Sequence, residues 1–79
     1  MAYNKSFNYE IKERIAVLSE SEDGRYTTEV NMISYNGAPE KLDIRKWNRA
    51  DDRMGKGVTL TEEEATALVM ALADRKAER

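Results

Sequence analysis

Lys41-Leu42-Asp43-Ile44-Arg45-Lys46-Trp47-Asn48-Arg49, then Met54-Gly55-Lys56-Gly57-Val58-Thr59-Leu60, then Thr61-Glu62-Glu63-Glu64: across these three runs the chain passes from strand to helix. In the first, Leu42 and Ile44 point one way while Asp43, Arg45, Trp47 and Arg49 point the other, the two-residue repeat of a β-strand. The second run, beyond the loop Ala50-Asp51-Asp52-Arg53, reads as a short fourth strand. The third is a capping box, with Thr61 as N-cap and Glu64 at the third helical position, and its glutamates suit the positive end of a helix dipole. The helix is expected from about Glu62 to Asp74 or a little beyond.

Toward the N-terminus, apolar residues recur at every second place from Phe7 (Phe7, Tyr9, Ile11), then at Ile15 and Val17. Leu18 breaks the alternation, which predicts a bend or bulge. Glu22-Asp23-Gly24 is a turn, and Arg25 to Asn36 reads as a second strand rich in Thr, Val, Ile and Tyr. Val30 and Ile33 lie three apart, so the second strand is expected to slip in parity as well; two such strands predict a strongly curved sheet. Asn36-Gly37, followed by Ala38-Pro39, is a hairpin connection into the third strand. The chain thus reads as α+β: a curved, four-stranded antiparallel sheet followed by one C-terminal helix, β-β-β-β-α. It forms one domain over residues 1–79, with an ordered core at about 7–74 and residues 1–6 polar and expected to fray.

On the helix, Ala65, Leu68, Val69 and Leu72 form one apolar stripe, and Ala67, Met70 and Ala71 a second. A sheet face covers one stripe only. The second is expected to meet the same helix of another subunit, the small alanines letting the backbones approach; the alternative is alanine chosen for helix propensity alone. A chain this short buries only about 60–65% of its unfolded surface, which also favours assembly.

The sequence has no Cys and no His. That excludes disulfides, thiolate or imidazole metal sites, and histidine acid–base or Ser–His chemistry. Asp51-Asp52 lacks the regular oxygen ligands of a calcium loop, and Gly55-Lys56-Gly57 has the wrong spacing for a P-loop. No enzyme activity, metal, cofactor or small-molecule substrate is expected. No apolar run approaches the roughly 18 residues of a membrane span, and no signal peptide is recognised, so a cytoplasmic location is expected (on the nucleoid, if bacterial).

The net charge of −2 hides an asymmetry. Between Lys41 and Gly57 there are six basic residues against three acidic ones, on an otherwise acidic chain. A basic strand with Trp47 between Arg45 and Arg49 is a platform for unpaired nucleic acid: bases stack on rings while cations hold phosphates. Tyr35 adds a second ring, and Gly57 beside Lys56 leaves room for a phosphate to approach the backbone. The alternative is that Trp47 is half-buried core and Arg45 and Asp43 are an ordinary ion pair.

At Leu42-Asp43-Ile44-Arg45-Lys46-Trp47, Met54-Gly55-Lys56-Gly57-Val58-Thr59-Leu60-Thr61 and the acidic helix start, the chain resembles the positive-cofactor-four type of transcriptional coactivator, a single-stranded-DNA-binding family. It is most similar to the small bacterial YdbC-like branch, which shares the look of Tyr9-Glu10-Ile11, of Ile15 to Glu20, and of Glu29-Val30-Asn31 with Ser34-Tyr35-Asn36. The resemblance covers about Phe7 to Leu72. It implies a homodimer joined through the helices and adjoining sheet, with curved sheets forming two grooves for antiparallel single strands. It also implies DNA contacts at Tyr35, Arg45, Trp47, Lys56 and Gly57, to which the platform reading adds Arg49; the dimer contact falls on Ala67, Met70 and Ala71. The coactivators carry an aromatic where this chain has Asn48, and a basic residue where it has Gly55; both departures remove a family contact. The expected function is sequence-tolerant single-stranded DNA binding in transcription, replication or repair. An RNA-binding module and a protein-interaction domain of the transcription machinery are the alternatives.

Overall fold

The computed structural model describes residues 8–77. Phe7, the expected start of the first strand, and residues 1–6, expected to fray, lie outside the described residues. Four strands, β1 (Tyr9–Glu20), β2 (Tyr26–Tyr35), β3 (Lys41–Asn48) and β4 (Arg53–Leu60), form one antiparallel sheet in the order β1-β2-β3-β4, and α1 (Glu62–Ala77) follows. The expected strand ends fall within one residue of these bounds from β2 onward.

The turns are built as their residues require. Asn36 and Gly37 both have positive φ (53° and 79°), and the Ala38 amide donates to the Tyr35 carbonyl at 2.9 Å, which closes a tight turn between them. At the β1–β2 connection Gly24 has φ 76°, and the Asp23 carboxylate accepts from the Ser21 hydroxyl and the Arg25 amide.

β1 is the irregular element. Its register against β2 slips between Ile11 and Glu13, between Arg14 and Ala16, and between Val17 and Ser19. Lys12, Ile15 and Leu18, spaced three apart, are therefore left without partners. Twelve residues of β1 run beside the nine from Thr27 to Tyr35. A strand longer than its neighbour bends the sheet. The size of the bend can be gauged from the register. Tyr9 pairs with Tyr35 at one end of β2, and Trp47 pairs with Thr27 at the other. Eight residues of straight strand span about 26 Å. Yet the Tyr9 and Trp47 rings lie with centroids 6.0 Å apart, edge to face. The sheet curls over the face that carries Tyr9, Tyr35, Asp43, Arg45 and Trp47, so that face is concave.

The break expected at Leu18 is present, and the curvature with it. The slip expected in β2 is not: β2 pairs with β3 in unbroken register from Tyr26↔Asn48 to Ile33↔Lys41. Val30 and Ile33 break parity because both faces of β2 carry apolar side chains. Ile33 lies in the concave core, and Val30 faces the convex side with Met32, Leu42 and Ile44. A further slip lies between Arg45 and Trp47, where β4 carries Gly55 and Lys56.

α1 begins on the expected capping box, with both arms made: Glu64 N–H donates to Thr61 Oγ1 (3.1 Å) and Thr61 N–H to Glu64 Oε1 (2.8 Å). Among the described residues the helix meets only β3 and β4, on the convex side, where Ala65 and Leu68 border Leu42. The first stripe was expected to lie on the sheet; beyond Ala65 it does not. Leu68, Val69 and Leu72 stay exposed, Val69 at 66%, as does Met70 of the second stripe at 61%. The helix departs from the sheet after its first turns, because the curled sheet offers no flat surface along its length.

Thr61→Ala removes one arm of the cap and is expected to lower the unfolding free energy by about 1 kcal/mol, read by urea denaturation. An unchanged midpoint would mean the first turn frays.

Candidate nucleic-acid interface

Strand alternation places acidic, basic and aromatic side chains together on the concave face. Asp43 is 0% exposed and Glu29 is also buried. Buried carboxylates need partners, and each has an arginine. Arg45 donates from Nε to both Asp43 oxygens (3.1 and 2.8 Å) and from Nη2 to Asp43 Oδ1 (2.7 Å). Its Nη2 also donates to the Tyr35 hydroxyl (3.1 Å), and its Nη1 to the Gly55 carbonyl (2.9 Å). The Tyr35 hydroxyl in turn donates to Asp43 Oδ1 at 2.7 Å.

The second centre is built alike. Arg49 donates from Nε to Glu29 Oε2 (3.0 Å) and from Nη2 to both Glu29 oxygens (2.6 Å each), with Nη1 on Asp52 at 2.8 Å. The Thr27 hydroxyl adds a bond to Glu29 Oε2 (2.6 Å). The Arg49 guanidinium also lies over the Trp47 ring, 4.9 Å from its centroid.

The titration behaviour follows from these contacts. Burial, then the hydrogen bond to Asp43, pushes the Tyr35 hydroxyl up to about 12. Burial alone would raise Glu29, but the hydrogen bonds from Arg49 and Thr27 outweigh it and hold the carboxyl below its ordinary value. Hydrogen bonding to Asp43 raises Arg45 still further, and hydrogen bonding to Glu29 does the same for Arg49.

Of the expected site residues, the concave face gathers Tyr35, Arg45, Trp47 and Arg49. Their states differ from the expectation. Trp47 is 1% exposed, sealed by Tyr9 and Arg49, so its indole is core and offers no open face to a base. Arg45 and Arg49 are each neutralised by a buried carboxylate. Gly57 pairs with Arg45 across the sheet; a Cβ there would collide with Arg45 Cβ and backbone. Its absent side chain makes room for Arg45, whereas phosphate access had been expected. Lys56 is exposed at the β4 register break and has no ion pair among the described residues; it is not part of the network. Ala67, Met70 and Ala71 lie exposed on α1.

Sequence reading passed over Tyr9. It is 38% exposed, pairs with Tyr35, and packs at 6.5 Å from the Tyr35 ring and against Trp47. Its alternation marked it as a strand residue; only the β1–β2 register puts it among the rings. Among the described residues no group of three or more acidic side chains is placed to hold a metal ion, and no helix is long and apolar enough to cross a membrane.

Two predictions follow from this geometry. Trp47→Ala is expected to cost about 3–5 kcal/mol of folding stability, measured by chemical denaturation, as for other buried aromatics. Glu29, with its lowered pKa, contributes stability that is present above its ordinary value of 4.5 and is lost as pH falls through the folded value. Glu29→Gln should therefore reduce stability at neutral pH and flatten the acid limb of the stability–pH profile; an acid limb as steep as the wild type's would contradict this assignment.

Residues 25–71 match the family described as Transcriptional Coactivator p15 (PC4). An uncharacterized protein of Treponema pallidum (strain Nichols) is 48% identical over 65 residues, covering 82% of this chain and 75% of that protein. The matched span runs from the start of β2 into α1, and so contains the Asp43–Arg45–Tyr35 and Glu29–Arg49 centres. The chain belongs to the transcriptional coactivator p15 (PC4) family, a nucleic-acid-binding, coactivator-type group.

Proposed function

We propose that this chain binds single-stranded DNA with little sequence preference, as a homodimer, on the concave side of its sheet. The observation that carries the reading is the ring pair at the mouth of the trough. Tyr9 and Tyr35 lie side by side, partly open to solvent, over a floor fixed by buried ion pairs. Partly open rings on a rigid base suit unpaired bases, which present free faces for stacking; duplex bases are already stacked. Trp47 supports Tyr9 from beneath. Lys56, exposed and without an ion pair among the described residues, and Arg14, 64% exposed with only a 3.9 Å contact to Glu29, are two cations open to solvent phosphates. The dimer reading rests on α1, whose Met70 and Val69 are mostly exposed beside the small Ala67 and Ala71. A second copy of the same helix would cover them. Such a protein serves wherever strands are separated, in transcription, replication or repair.

The test is fluorescence anisotropy with labelled oligo(dT), matched RNA and duplex DNA at several salt concentrations, with light scattering for the mass of the complex. An extrinsic label is needed because Trp47 is buried. Oligo(dT) should bind and duplex should not, with two chains per complex. Tyr9→Ala should cost about 1–3 kcal/mol of binding, the value of one base stack. Lys56→Ala should reduce the log–log salt slope by about 0.7 for a lost phosphate contact. Equal binding of duplex, or full affinity in Tyr9→Ala, would overturn the reading, and tighter binding of RNA would reassign the ligand.

A further inference from the structure

Arg45 invites assignment as a phosphate ligand, and its donors argue otherwise. A guanidinium has five N–H groups in a fixed fork. The Nε hydrogen and both Nη2 hydrogens go to Asp43 and Tyr35, and one Nη1 hydrogen goes to the Gly55 carbonyl. One N–H is left. The positive charge is matched by Asp43, which is fully buried, while the Arg45 side chain is 15% exposed. A phosphate approaching Arg45 would meet a neutral pair with a single free donor.

The same contacts converge on Tyr35. Its hydroxyl donates to Asp43 and accepts from Arg45, so the oxygen is held at two points, and the ring can neither rotate out nor sink. The anchor is itself anchored: Asp43 by burial within β3, and Arg45 by the Gly55 carbonyl of β4 and by the space that Gly57 leaves. Three strands thus fix one ring. We infer that Asp43 and Arg45 are positioning residues, which hold the Tyr35 ring in a stacking orientation for an unpaired base, and that Arg45 does not carry a phosphate. The inference rests on the proposed single-strand binding and deepens it. A ring held before the ligand arrives loses no rotamer freedom on binding, which is how a fixed platform gains affinity.

The decisive measurement separates affinity from salt dependence. The paired variant Asp43→Asn/Arg45→Gln removes both charges, so no buried carboxylate is left alone. Its oligo(dT) affinity should fall on the order of tenfold, the scale of one base stack, with the salt slope equal to the wild type's. Tyr35→Ala added to the pair should cause little further loss, because the ring is already misplaced. Asp43→Asn alone should also bring the late-ionising tyrosine hydroxyl down from about 12, read by ultraviolet absorbance. A slope reduced by about 0.7 in the paired variant, with Tyr35→Ala adding its full loss, would make Arg45 a phosphate ligand and overturn the inference. Should the paired variant fail to fold, Tyr35→Phe decides: it removes only the tethering hydroxyl, and undiminished affinity would refute the positioning role. A wild-type protein that does not bind oligo(dT) at low salt would refute the single-strand reading itself, an outcome distinct from either.

Discussion

β1 must run twelve residues beside nine of β2, and the surplus enters as three single-residue bulges at even spacing. Everything on the concave face depends on the curl that results. Without it, Tyr9 and Trp47 would sit about 26 Å apart along the strand direction, and the Tyr9 ring could not reach Trp47 of β3. With it, a single sheet layer buries Ile33, Asn31, Asp43 and Trp47 with no second layer on that side among the described residues: the helix lies on the other. A short chain thereby obtains an interior from one sheet, in the manner of an incompletely closed barrel.

Closing the trough this way forces a choice about charge. The side chains that alternation delivers to the interior include Glu29 and Asp43, and carboxylates cannot be taken from water unpaired. Arg45 and Arg49 answer that need with forked, multiply bonded contacts, and their cationic function is largely spent on it. Buried pairs of this kind add little net stability against apolar replacements, but removing one partner is costly. Their value lies in geometry: the guanidiniums fix Tyr35 and cap Trp47. Attraction for a polyanion must then come from exposed cations outside these pairs, such as Lys56 on the edge strand β4. The inner arginines and such outer cations divide between them the work that a simple basic strand would combine.

Much of this order was legible from residue type and spacing. The capping box at Thr61 and Glu64, the turn at Asn36-Gly37 and the alternation of β3 are local, and local rules decided them. Curvature was expected from parity breaks in two strands, of which only the one at Leu18 is a bulge. Lys12 and Ile15 both keep the alternation, polar at an even position and apolar at an odd one, so their bulges leave no mark in it, and the parity slip at Val30 and Ile33 reported a two-sided core where a bulge was expected. Alternation told which face Trp47 occupies, but not whether that face is open, since closure depends on the register of a different strand. For the same reason Tyr9 went unnoticed and the arginines looked free. The pairing of Arg49 with Glu29 joins residues twenty apart, and no spacing rule reaches that far.

α1 follows from the same constraint. A curled sheet presents a convex back of limited width, so it can seat Ala65 but not the turns beyond it. The rest of the helix is apolar on two stripes and, among the described residues, has no surface of its own chain to lie on. Curvature thus has two consequences at once: it makes the interior that organises the rings, and it ejects a helix that water alone does not satisfy. A flatter sheet would cover the helix and open the trough, giving a self-sufficient monomer without a fixed aromatic platform. Within a single short chain the two requirements oppose each other; the homodimer proposed above would meet both by pairing through the ejected helix.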